Sequence, residues 1–190
     1  MKALLSITLI VLTVLACKKD EEFPIWATGD TSNGSATASR NGLLWSASAQ
    51  AHTHADPLFP SIKTDSILEF FFETRSAEGY RRENLFLTNV PRKPGLYVLV
   101  LRSGCGEKYN SGAVYSIATN GGDGGAFHGY LNEDSSKRFI EIISIDETSK
   151  EVVGKFDASF FFSQKTRKQA PWIPEEVSFT DGTFKATILD

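Results

Sequence analysis

Two histidines, His52 and His54, form the residue pair whose type and spacing most directly suggest a binding chemistry. Residues two apart on a β-strand point to the same face, so both imidazoles could bind one metal ion. Asp56 or His128 could supply a third ligand. The spacing is generic, and Pro57 follows the segment, which is also typical of a loop. We therefore predict no metal site and retain His52 and His54 as the candidates to examine.

Motifs for catalysis are missing from the sequence. There is no Gly-x-Ser-x-Gly elbow and no His-Glu-x-x-His motif. The run Asn-Gly-Gly-Asp-Gly-Gly at 120–125 matches neither phosphate-binding fingerprint and is typical of a flexible hairpin loop. Cys105 lies between two glycines, which favours a turn over a nucleophile. We predict no catalytic residue and no cofactor, and we expect binding rather than enzyme activity.

The overall composition indicates one ordinary globular domain. The chain has 190 residues, of which 41% are hydrophobic and 23% are charged, and its formal net charge is -3. This length suits a single domain with a sizeable core. The negative net charge argues against a nucleic-acid-binding protein that acts through a basic face. Two cysteines cannot form a disulfide scaffold.

The N-terminal segment has the pattern of an export signal. Residues 3–15 are almost wholly apolar, and a run of about 13 residues is too short to span a bilayer as a helix but fits a secretory signal peptide. The following Val-Leu-Ala-Cys at 14–17 resembles the bacterial lipobox. That resemblance implies cleavage before Cys17 and attachment of palmitate-type acyl chains, which would anchor the protein stably. The sequence Lys-Lys-Asp-Glu-Glu at 18–22 resembles the surface-export signal of Bacteroidota lipoproteins, so we expect the cell surface or, failing that, the periplasmic face of the outer membrane.

The rest of the chain is patterned as strands. We divide the sequence into a signal peptide at 1–16, a lipidated tether at 17–34 and a single all-β domain at 35–190. Within that domain, apolar and polar residues alternate through about ten segments, which predicts an antiparallel meander closed as a β-sandwich or a flattened barrel. The segment 96–101 is apolar on both faces, which predicts a central strand.

Two dipeptides, Asn41-Gly42 and Asp181-Gly182, predict two-residue hairpins, because the turn residues need positive φ. The predicted partners are Arg40 with Leu43, Ala38 with Trp45, Ala36 with Ala47, Phe179 with Phe184, and Val177 with Ala186. A further register is ambiguous, because pairing Ile145 with Val152 would turn Glu141 toward the core. A β-bulge that corrects the phase is the favoured solution, since a lone buried carboxylate is costly.

Two phenylalanines, Phe71 and Phe161, fall on the outward face of their predicted strands. Such residues could form one surface patch for a partner or ligand. Alternatively, the tether with Phe23 and Trp26, or the loop around Trp172, could cover them.

Several of these motifs together resemble a family of Bacteroidota outer-membrane lipoproteins of unassigned function. The likeness rests on the lipobox, the acidic tether and the short sequences at 41–45, 94–97, 153–156 and 179–184, which are turns and core aromatics. It implies a fold and an envelope location but no chemistry. We therefore expect a lipid-anchored, non-catalytic binding or interaction module, with a calycin-like carrier of a small apolar ligand or an envelope or glycan hydrolase as alternatives.

Replacing Cys17 with Ala should abolish lipid attachment, because the thiol is the acylation site that the lipobox implies. The variant should accumulate as an uncleaved or soluble chain that takes up no labelled palmitate, whereas the wild-type chain should be labelled and sediment with membranes. Palmitate incorporation into the variant would contradict the assignment.

Overall fold

The computed structural model describes residue 24 and residues 26–55, 63–101, 110–118, 126–134 and 136–189; at 54, 55 and 63–65 it describes the backbone alone. The elements are β1 (Ala27–Thr28), β2 (Gly34–Arg40), β3 (Leu43–Ala55), β4 (Lys63–Arg75), β5 (Arg81–Pro91), β6 (Gly95–Val98), β7 (Gly112–Ala118), β8 (Ala126–Leu131), β9 (Phe139–Asp146), β10 (Glu151–Phe162), α1 (Gln164–Gln169) and β11 (Glu176–Leu189). The predicted all-β class is confirmed. Within the described ranges, no helix is long and apolar enough to cross a membrane.

The main structural feature is a closed ring of hydrogen-bonded strands. In spatial order the ring contains β2, β3, β4, β5, β7, β8, β10 and β11, and β11 then pairs with β2 again. All of these neighbours are antiparallel, and the end of β11 also runs parallel to β3. Strand β9 pairs with the first half of β10, and β6 pairs with β9, so these two strands extend the sheet outside the ring. A flattened barrel with a side extension follows from this pairing.

The first predicted hairpin is confirmed residue by residue. Asn41 and Gly42 both have positive φ, at 49° and 82°, as a two-residue turn between right-twisted strands requires. Arg40 is opposite Leu43 and Ala38 is opposite Trp45. This register sends Ala38 and Trp45 to the inside of the ring.

The second predicted hairpin is wrong, because β11 continues straight through Asp181-Gly182. Asp181 has a φ of 54°, and the register against β10 jumps between Phe156 and Ala158. The dipeptide therefore forms a β-bulge, which switches the inward residues from Phe179 to Gly182. The backbone N–H of Asp181 donates to the Asp157 carboxylate at 2.8 Å, which holds the bulge in place.

The predicted central position of segment 96–101 is also wrong. Strand β6 ends at Val98 and pairs with β9 alone among the described strands. Leu96 and Val98 are 64% and 57% exposed.

The bulge expected near Glu141 is confirmed. Val152 pairs with Ile145, and the register then shifts after Val153. Glu141 is therefore opposite the exposed Lys155.

Aromatic side chains fill the ring. Seven phenylalanines on the inner face are fully or almost fully buried, and most contact one another at ring-centroid distances of 5.0–6.4 Å: Phe70, Phe72, Phe156, Phe160, Phe162, Phe179 and Phe184. Glycines make room for them. A Cβ at Gly154 would lie 2.5 Å from Phe184 Cζ, and one at Gly129 would lie 2.9 Å from Phe160 Cβ. These glycines let neighbouring strands approach over bulky side chains.

One end of the ring is closed by the chain before β2. Trp26 packs edge-on against Trp172 at 6.3 Å, and both rings pack on the core. Strand β1 adds to the end of β4, with Ala27 opposite Arg75. Part of the segment expected to be a tether therefore belongs to the packed body; Phe23 lies outside the described residues.

Candidate functional site

A buried carboxylate, Glu83, organises the closed end of the ring. Its Oε1 accepts hydrogen bonds from Arg40 and from the hydroxyl of Tyr115, and its Oε2 accepts from Trp45 Nε1 at 3.0 Å and from Thr74 Oγ1 at 2.9 Å. All five side chains are buried, with Glu83 at 0% and Arg40 at 2% exposure. Each carboxylate oxygen thus has two donors, which is what a buried charge requires.

The arginine of this cluster also holds the entering chain. Arg40 Nη2 donates to the carbonyl of Pro24 at 2.7 Å, and the guanidinium lies 5.9 Å from the centre of the Trp26 ring. The planar guanidinium therefore joins three partners: the Glu83 carboxylate, a backbone carbonyl and an aromatic face. The cluster is closed to solvent and each carboxylate oxygen already accepts two hydrogen bonds, so its geometry fits structural stabilisation.

Burial raises the pKa of Tyr115 well above its ordinary value, and the negative charge of Glu83 beside it raises the pKa further. Deprotonation would place a second negative charge against the carboxylate in a fully buried region. Tyr115 is therefore a permanent donor to Glu83 across the physiological pH range.

A groove on the outside of the ring is the second arrangement with chemical potential. It lies between β8 and α1 and has a volume of about 530 Å³. The lining residues are Ala126, Phe127, His128, Tyr130, Ser163, Lys165, Thr166 and Gln169. They offer hydroxyl, amide, imidazole and ammonium groups, and none carries a carboxylate. This lining fits a polar or anionic ligand.

The helix that forms one wall of the groove has a local explanation. Ser163 caps its N-terminus by accepting from the backbone N–H of Thr166 at 3.2 Å. Arg167 and Lys168 lie in the last turn, where positive charge is favourable, and Arg167 donates to Glu175 at 2.5 Å. The helix is thus joined to the segment that leads into β11, while Lys165 remains exposed beside the groove.

One lining residue of the groove, Tyr130, is paired across strands with Phe161, and the two side chains are 60% and 41% exposed. On the far side of the ring, Phe71 stacks on Phe86 with ring centroids 4.5 Å apart. The strands of Phe71 and Phe161 do not pair, so the two residues are not direct neighbours.

An outer row of apolar side chains nevertheless links these positions. Phe86 is opposite Val114. Because Tyr115 is opposite Gly129 in an antiparallel pair, Val114 is in turn opposite Tyr130, and these side chains lie on the outer face. The row crosses five strands, and its exposed end is the Tyr130–Phe161 pair. Trp26 and Trp172, the candidate covers, lie instead at the closed end of the ring.

The metal candidates are not assembled into a site among the described side chains. His52 lies on the outer face of β3, edge-on to Phe71 at 5.4 Å and 3.5 Å from Gln50 Oε1. No group of three or more His, Cys, Asp or Glu residues in the described ranges could hold a metal ion. The side chain of His54 lies outside the described part of the chain, as do Asp56, Cys17, Cys105 and the 120–125 loop.

Strand parity could have revealed Glu83 from the sequence. Glu83, Leu85 and Leu87 alternate, and all three are buried, so the phase of β5 points the carboxylate inward. The groove leaves no such signal, because its walls are 33 or more residues apart and meet only after folding. Comparison of the chain with protein-family models, curated proteins and solved structures finds no match.

Replacing Glu83 with Gln should lower the free energy of unfolding by about 3–5 kcal/mol, because the buried Arg40 guanidinium would lose its counter-charge. Glu73→Gln is the matched control, since this carboxylate also pairs with arginines but is 18% exposed, and it should cost about 1 kcal/mol or less. Urea denaturation measures both, and adding Arg40→Met to Glu83→Gln should restore part of the loss. Equal small effects in both single variants would contradict the role of Glu83.

The Tyr115 hydroxyl makes stability sensitive to alkaline pH. Because its pKa in the folded protein is raised, the stability that it contributes is complete below the pKa of the unfolded chain, about 10, and is lost as the pH rises beyond that value. The Tyr115→Phe variant should be less stable at neutral pH but should show a shallower decline between about pH 9.5 and 11. Parallel alkaline slopes for the two proteins would refute this coupling.

Proposed function

We propose that this protein is a lipid-anchored, non-catalytic binding module of the bacterial cell envelope, of the kind found among Bacteroidota outer-membrane lipoproteins. Cys17 carries the acyl chains and residues 18–22 direct the domain to the cell surface. The lipobox-like sequence at 14–17 and the acidic run that follows support the anchor and the location.

The packing of side chains inside the ring is the observation that favours ligand binding on the outer surface of the ring. The seven buried phenylalanines occupy the inner face, and the inner charges of Arg40 and Glu83 neutralise each other. A calycin-like carrier needs an internal apolar cavity, whereas these aromatic side chains occupy the part of the interior where such a cavity would lie. We therefore place the ligand on the outer surface.

The binding face in this proposal is the groove between β8 and α1 with the adjoining Tyr130–Phe161 pair. Two neighbouring aromatic side chains held open to solvent provide an apolar platform. Beside them, Lys165, His128 and Gln169 provide polar contacts. This combination suits a ligand that has an apolar face and hydroxyl or anionic groups.

A hydrolase would need two carboxyl groups about 5–10 Å apart in a cleft. The groove lining has no carboxylate, and both oxygens of Glu83 accept hydrogen bonds from buried donors. These two facts favour binding over glycan hydrolysis at the described surfaces.

The experiment is site-specific photo-cross-linking in intact cells. The photoreactive residue p-benzoylphenylalanine in place of Tyr130 should give one discrete adduct, and Phe161→Ser in the same chain should reduce its yield severalfold. The control position is Lys185, an exposed residue on β11 away from the groove, which should give no such adduct. A correctly folded and exported chain without an adduct at 130, or with the same adduct at 185, would overturn the proposed face.

A further inference from the structure

The end of the ring where the chain enters has a surface composition of its own. We define the entry rim as the turn between β2 and β3 with Leu43 and Leu44, the turn between β4 and β5 with its flanking residues 73–82, and the segment 163–176. Asn41 ties two of these parts together, because its side chain donates to the Glu176 carbonyl at 3.0 Å and accepts from the Ser178 N–H at 2.7 Å.

Three large apolar side chains on the entry rim are exposed: Leu44 at 75%, Tyr80 at 49% and Leu43 at 41%. The half-buried Trp26 and Trp172 lie at the same end. Aliphatic side chains with tyrosine and tryptophan on one surface are the composition that lies at a membrane–water interface.

The fold also gathers two basic runs on the entry rim that are more than 80 residues apart in sequence. Ala126 lines both the small pocket that contains Arg81 and Arg82 and the groove that contains Lys165. The charged side chains of the entry rim are six cations, Arg75, Arg81, Arg82, Lys165, Arg167 and Lys168, and four carboxylates, Glu73, Glu78, Glu175 and Glu176. The rim therefore carries an excess of positive charge in a protein whose net charge is -3.

The length of chain before the rim limits its distance from an anchor. Pro24 is fixed at the entry rim by the hydrogen bond from Arg40, and Cys17 is seven residues earlier. At 3.3–3.6 Å per residue the span from Cys17 to Pro24 is at most about 25 Å. An acylated Cys17 would thus keep the entry rim, rather than the opposite end, close to the lipid headgroups.

We infer that the entry rim is a membrane-docking surface that contacts anionic lipid headgroups, with Leu44 and Tyr80 entering the interface. Arg82, Lys165 and Lys168 bind the lipid phosphates, while Arg75, Arg81 and Arg167 form ion pairs with Glu73 and Glu175. This inference rests on the proposed anchor, which determines that the entry rim faces the membrane. The affinity of the entry rim for lipid is a property of the folded domain and does not require the anchor. Docking of this kind gives the protein a second membrane contact in addition to the acyl chains, and this contact is electrostatic and apolar rather than covalent.

The test uses the mature chain from residue 17 with Cys17→Ser, so that neither acyl chains nor the apolar signal segment can bind lipid. It should co-sediment with vesicles of equal parts phosphatidylglycerol and phosphatidylcholine roughly tenfold more strongly than with pure phosphatidylcholine. High salt should weaken that binding. Lys168→Ala should reduce it about fivefold, and Leu44→Ser should reduce it roughly three- to tenfold.

Matched controls lie away from the entry rim: Lys185→Ala on β11 for the cation, and Leu96→Ser on β6, at 64% exposure, for the apolar side chain. Both should bind vesicles within about twofold of the parent chain. Equal binding to both vesicle types, no binding to either, or equal losses in the Leu44 and Leu96 variants would each overturn the inference. Palmitate labelling of the wild-type protein tests the anchor separately, so failure of the anchor and failure of the rim give different results.

Discussion

The fold depends on how one buried carboxylate is satisfied. Glu83 lies at full burial inside a ring of apolar side chains, where a charge without partners would be prohibitively unfavourable. Its four donors come from four different strands, β2, β3, β4 and β7, so the correct positions of these strands are set at one point. A shift of any of them by one residue would withdraw a donor and turn apolar side chains outward. The cluster thus specifies register as well as contributing stability.

The same arginine connects this interior to the entering chain. Arg40 donates to Glu83 inside the ring and to the Pro24 carbonyl at the closed end of the ring. The segment before β2 is therefore held by a side chain that is itself held by the core. Trp26 and Trp172 cover this closed end. Since the closed end is also the entry rim, the interior packing and the surface available for docking are determined by the same residues.

Local sequence signals predicted the fold where a short-range interaction decides the structure. The Asn41-Gly42 turn is such a case, as is the bulge that keeps Glu141 off the core. Asp181-Gly182 carries a similar signal but forms a bulge, because a long partner strand, β10, is available to pair on both sides of it. Likewise, apolar residues on both faces of β6 suggested a central strand, although position in a sheet depends on which other strands pair with it. The groove could not be predicted from the sequence for the same reason: the residues on its walls are brought together by the folded ring and not by their spacing in the sequence.

Ring closure has a consequence for the order of folding. Strand β2 ends at Arg40 and its partner β11 begins at Glu176, so the last seam of the ring joins segments separated by most of the chain. The hairpins from β2 to β5 need only local contacts and can form while β11 is still absent. Until β11 arrives, the free edge of β2 is an unpaired strand next to an open aromatic core, which is the state most prone to association with other chains. The slow, long-range step is therefore also the protective one.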